Sequence, residues 1–164
     1  MVISKNKQAS VESLQILVVG NNPIELSKMV AKLEPAVGQK IVIEIAFDAQ
    51  SILERLSKFT PSYILIDDNI GREELKRVVT KLTTERKTKN IPITVLKNSN
   101  YHEAIATGVM DFMLKENLTS EALYRVMRNS LKFRQTQLYL YQAYKRRKGQ
   151  LARLFQKEQP AFQI

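Results

Sequence analysis

Apolar and polar positions alternate along this chain in blocks of two kinds. Short runs of β-branched and aliphatic residues bounded by turn formers read as strands, and longer stretches with apolar residues three and four apart read as amphipathic helices. Ile16–Val19 is continuously apolar, as a central strand buried on both faces requires. Asn22-Pro23 then reads as an N-cap with proline in the first helical turn, Leu26, Met29, Val30 and Leu33 form the inner stripe, and Pro35 and Gly38 close the segment. Ile41–Phe47 is a second strand, and Asp48 caps a helix through about Lys58 with Ile52, Leu53 and Leu56 inside. Pro61 opens a third strand, Tyr63–Ile66, and Leu75, Val78, Val79 and Leu82 mark a third helix after Gly71. Ile91–Leu96 is the fourth strand, followed by a capping box, Asn100 with Glu103, for a fourth helix that ends at Gly108. Phe112–Leu114 is the fifth strand and Thr119 caps a fifth helix. Five β-α pairs in this order predict an α/β fold, a parallel sheet with helices on both faces.

The fifth helix outruns the domain that such a sheet needs. Helix-favouring sequence continues to Lys148, pauses at Gly149 and resumes through about Lys157. Val126, Phe133, Leu140 and Leu154 recur at multiples of seven, with Leu123, Tyr144 and Leu151 in the companion row; Ser130, Gln137 and Arg147 interrupt the repeat. The expected organisation is a disordered segment over residues 1–13, a domain over 14–132, and a basic, partly amphipathic helical extension over 133–164.

Charge sharpens that division. The net charge of +10 is concentrated: residues 14–119 hold 14 Lys/Arg against 13 Asp/Glu, whereas residues 120–164 hold 10 against 2. With 44% apolar and 26% charged residues the chain reads as globular and not disordered. No apolar run approaches the ~20 residues that span a bilayer, and the amino terminus lacks the apolar core of a signal peptide, so a cytoplasmic location is expected. Zero cysteines exclude disulfides and thiolate metal sites; the single His102, on the fourth helix, reads as a surface residue.

Candidate chemistry lies at the strand ends, where open parallel sheets build their sites. Tyr63-Ile-Leu-Ile-Asp-Asp-Asn69 ends in acids, Asp111-Phe-Met-Leu-Lys115 ends in a lysine, and Ile16-Leu-Val-Val-Gly-Asn-Asn22 ends in Gly20 and Asn21 with no acid. Read alone, Asp67-Asp68-Asn69 is also ordinary turn chemistry, and Lys97 an exposed loop lysine. In this order and spacing the segments resemble the receiver domain of two-component response regulators, over about residues 14–132. The resemblance implies a flavodoxin-like sheet of order 2-1-3-4-5, Asp67 as phosphoacceptor equivalent, Lys115 as the lysine that pairs with the phosphate, and Phe112 as the aromatic switch residue; Asn69 lines the same pocket.

The departures are as telling. Where receivers carry an acidic pair after the first strand stand Gly20 and Asn21, Lys97 replaces the Ser or Thr ending the fourth strand, and Glu116 replaces the proline after the lysine. The loop after Asp67 is shortened to Ile70-Gly71-Arg72. Asp67, Lys97 and Lys115 together sum to +1, and Mg²⁺ favours hard oxygen ligands, usually including carboxylates. Asp68 would join the pocket only by turning inward, which alternation along the strand argues against. No metal or other cofactor is therefore expected, with Lys97 binding Asp67 directly.

These residues imply a non-enzymatic pseudo-receiver, a signalling module that docks on a histidine kinase or a downstream effector and accepts phosphate poorly. The alternative is a working response regulator, phosphorylated on Asp67 with Mg²⁺. For the tail, Lys145, Arg146, Arg147 and Lys148 form a basic patch among tyrosines. The expected partner is a second copy (a homodimer through the C-terminal helix) or another protein, with nucleic acid as the next reading and an anionic membrane surface last.

Overall fold

The computed structural model describes residues 13–33, 40–98 and 111–158. Residues 1–12 of the segment expected to be disordered, the closing Pro35 and Gly38, and the fourth helix with Asn100, His102, Glu103 and Gly108 lie outside the described residues. Within them the chain forms β1 (Leu14–Val19), α1 (Pro23–Leu33), β2 (Ile41–Ala46), α2 (Ala49–Leu56), β3 (Tyr63–Asp67), α3 (Arg72–Thr84), β4 (Ile93–Lys97), β5 (Asp111–Leu114) and α4 (Ser120–Glu158). The five strands are all parallel, as the pattern predicts, in the order β2-β1-β3-β4-β5 that the resemblance implies.

Alternation along each strand sorts the core into two layers. Leu17, Val19, Ile64, Ile66, Ile93 and Val95 face α2 and α3, packing on Ile52, Leu56, Leu75, Val78, Val79 and Leu82. Ile16, Val18, Tyr63, Leu65 and Leu96 face α1 and α4, against Leu26, Met29, Leu33, Leu123 and Met127. Tyr63 and Thr94 hydroxyls are buried and hydrogen-bonded to each other. The local signals act as expected: Asn22 Oδ1 accepts from the Ile24 N–H at 3.0 Å, and Asp48 with Ser51 closes a reciprocal capping box on α2.

Most strand ends move by one or two residues from expectation, β4 starting at Ile93 instead of Ile91, and two helix boundaries differ as well. The second helix stops at Leu56, two residues early, where Lys87 Nζ donates to the Leu56 carbonyl at 2.6 Å. The fifth helix does not pause at Gly149: α4 runs unbroken for 39 residues, about 58 Å at 1.5 Å per residue. One exposed glycine costs a helix only about 1 kcal/mol, too little to break it when good helix formers flank both sides. Leu123, Met127 and Ser130 bury the root of α4 in the domain. Among the described residues Arg134 makes the last hydrogen-bonded tether of α4 to the domain, donating to the carbonyls of Asn90 at 2.6 Å and Lys89 at 3.1 Å.

Candidate functional site at the carboxyl end of the sheet

Asp67 ends β3 with its side chain fully buried. It follows Tyr63 and Leu65 on the α1/α4 face, so alternation aims it at the first turn of α1 and at the end of β5. Lys115, just past β5, brings its ammonium to 2.5 Å from Asp67 Oδ1 with only 14% of the side chain exposed. That approach lacks the alignment of a hydrogen bond, so it is an ion pair. The Asn69 N–H donates to the same Oδ1 at 3.1 Å. Asp67 Oδ2 is buried with no hydrogen-bond partner.

The sequence reading missed Glu25. Its carboxylate lies 3.6 Å from the Lys115 ammonium, so that one lysine is held between two acids. The available signal was Asn22-x-x-Glu25, the spacing that seats a helix N-terminus beside the strand ends. Asp68 is a correction. Instead of turning away it starts a 3₁₀ turn, Asp68–Ile70, and its Oδ2 accepts the Asn98 N–H at 3.2 Å. Asn98 also donates its amide to Asn69 Oδ1, joining the loops after β3 and β4. Burial raises the Asp68 carboxyl above its ordinary pKa, and the Asp67 charge adds to that; the Asn98 N–H, Lys115 and Lys97 oppose it.

Lys97 is a second correction. It does not pair with Asp67; its ammonium stands over the Phe112 ring, 4.3 Å from the centroid. Sheet parity is the reason. Asp67 is in register with Leu96, so Lys97 projects from the opposite face, where Phe112, in register with Val95, is its diagonal neighbour. Phe112 is 46% exposed, leaving an open ring face for the cation. The expected sum of +1 therefore does not describe the pocket. Glu25, Asp67 and Asp68 outnumber Lys115 to give −2, which Lys97 offsets only from the far face.

Gly20 is buried just past the end of β1, and a Cβ there would lie 2.7 Å from Leu26 Cδ2 and 3.3 Å from the Asp67 Cβ. Position 20 thus has no room for an acid without moving Leu26. Asn21 is exposed. A Mg²⁺ ion needs a near-octahedral set of hard oxygens. The described residues bring two partnerless carboxylate oxygens, Asp67 Oδ2 and Asp68 Oδ1, and no three acids or histidines among them converge on a metal position. The charge is suitable but the donor set falls short.

The four basic residues Lys145, Arg146, Arg147 and Lys148 are all exposed on α4, far along the helix from the strand ends, so the two candidate sites are separate. Among the described residues no helix is long and apolar enough to cross a membrane.

Neither a protein-family model nor a curated protein matches the sequence. Solved structures do match. The receiver domain of the sensor histidine kinase PA1611 from Pseudomonas aeruginosa PAO1, with magnesium coordinated in its active-site cleft, aligns with a TM-score of 0.63 at 16% identity over 74% of this chain and 99% of that one. The chemotaxis response regulator CheY4 of Vibrio cholerae aligns with a TM-score of 0.60 at 20% identity, over 73% and 99%. A chain carrying a yeast Spc42 trimeric coiled coil aligns with a TM-score of 0.63 at 16% identity, over 87% and 99%. Strand order, layer arrangement and these likenesses agree: the chain has the receiver-domain fold of response regulators.

Proposed function

We propose that the protein is a receiver-like signalling module that works by docking on other proteins, a histidine kinase or a downstream effector, with Asp67 an impaired phosphoacceptor. The observation that carries this is the end of β1, where Gly20 has no side chain and one added there would have to displace the end of Leu26. Phosphoryl transfer rests on positioning and on neutralising the transferred charge, largely through a metal. A pocket short of oxygen donors loses most of that term. Lys115, the remaining cation, is already engaged by Asp67 and Glu25. In this reading the protein acts as a contact surface and not as an enzyme. Lys97 on Phe112 fixes the shape of the β4–β5 face, and copies associate through α4. The likeness to a coiled-coil-bearing chain over 87% of this one supports that last element.

A second reading, a phosphorylatable regulator, is favoured by one observation: Asp67 Oδ2 and Asp68 Oδ1 are buried acceptors without partners in a pocket of net negative charge. Incubation with acetyl phosphate and Mg²⁺ followed by intact mass measurement separates the two. The docking reading expects the unmodified mass to dominate. Stoichiometric gain of one phosphoryl group, lost in Asp67→Asn, overturns it.

A further inference from the structure

We infer that two copies pair antiparallel along residues 133–158 of α4, with each Arg147 seated on Tyr144 of the second copy. This rests on the self-association reading and adds its orientation and register. Beyond the domain, Phe133, Gln137, Leu140, Tyr144, Arg147, Leu151 and Leu154 follow one another at alternating four- and three-residue steps, the spacing of a seam that meets another helix. The positions on the opposite side of that seam, Gln135, Gln142, Gly149 and Gln156, are all uncharged and exposed. Phe133, Leu140, Tyr144, Leu151 and Leu154, with Tyr141 and Phe155 beside them, are each more than half exposed. At about 100 Å² of exposed apolar surface apiece, covering them on two copies removes on the order of 1,400 Å², within the ~1,200–2,000 Å² of a stable specific interface.

Charge selects the orientation. Residues 133–158 carry seven Lys/Arg and one acid, Glu158. A parallel in-register pair would bring Arg147 against Arg147 within the seam. An antiparallel pair overlapping over the whole segment sets Leu140 against Leu151, Gln137 against Leu154 and Tyr144 against Arg147, each twice. Arg147 then meets a ring face instead of its own kind, an attraction the chain already uses internally, with Lys145 over Tyr141 at 4.8 Å and Lys97 over Phe112. Because both helices are basic, residual repulsion opposes pairing, and salt relieves it.

The chain has no cysteine, so introduced thiols are unique. The test mixes full-length Gln137→Cys with full-length Leu154→Cys under mild oxidation and measures mass by light scattering across salt. The expected product is the mixed 137–154 disulfide, with little self-linking of either variant, since like positions lie about 25 Å apart in this register. Dimerisation should tighten as salt rises toward about 0.5 M, where the Debye length falls below ~5 Å. Leu140→Lys with Leu151→Lys, both exposed in one copy, should weaken it about thirty-fold or more while leaving the domain's circular dichroism intact. Self-linked Gln137→Cys overturns the antiparallel register and leaves self-association standing. A chain monomeric at every concentration and salt overturns both.

Discussion

Replacing Lys115 by methionine tests the centre of the pocket. The substitution keeps an unbranched apolar stem and removes the only cation within ion-pair distance of Asp67 among the described residues. The buried carboxylate would keep one hydrogen bond, from the Asn69 N–H, with Oδ2 still partnerless. At 2.5 Å the Coulomb attraction is about 6–7 kcal/mol at an effective dielectric of 20. The ammonium's own desolvation cancels part of that. Stripping one member from a buried pair costs about 3–5 kcal/mol, because the other is left uncompensated. For a chain of this size that lowers the melting temperature by about 10 °C. Asp67→Asn should cost less, since Lys115 retains Glu25 at 3.6 Å. Urea unfolding of the parent, both single variants and the double variant gives the coupling energy, expected at about 2 kcal/mol or more. A loss below about 1 kcal/mol for Lys115→Met, or near-zero coupling, would refute the view that this ammonium neutralises the site.

Two further outcomes are expected. Burial lifts the Asp68 carboxyl above its ordinary value, so the folded state holds that proton more tightly than the unfolded chain. Its contribution to stability is complete below the ordinary carboxylate pKa and disappears as pH rises through the raised one; Asp68→Asn should therefore melt higher than the parent at neutral pH and alike at about pH 3, and equal melting at both would count against it. Gly149→Ala adds a methyl group that meets nothing within 4 Å, and the gain of about 1 kcal/mol in helix propensity should slow hydrogen exchange of amides around it about five-fold without shifting the domain's unfolding.

Much of the fold was legible because each element carried redundant signals. The strands β1 and β3 are continuous apolar runs ended by turn residues, α2 has a cap at Asp48, and the stripes of α1 and α3 keep helical period throughout. The pocket was legible only along single strands. Asp67 and Lys115 can be placed at strand ends from alternation, but which face Lys97 takes depends on its register against β3 and β5. Glu25 reaches Lys115 only because α1 packs across the sheet, a contact between positions 90 residues apart. The turn after β3 carries Asp68 out of strand geometry, so alternation no longer applies to it. Gly20 reads as a missing acid in the sequence; that Leu26 fills its place is visible only after packing.

The single unbroken rod from Ser120 to Glu158 has a mechanical consequence. Its root is clamped in the sheet layer through Leu123 and Met127, with Arg134 gripping two loop carbonyls at the rim. The 24 residues beyond that grip project about 36 Å. A tilt of about 5° at the clamp sweeps the far tip through about 3 Å. A small rearrangement of that helix layer would be geared up into a larger displacement at the tip, with Arg134 as fulcrum and Gly149 as the softest joint of the rod.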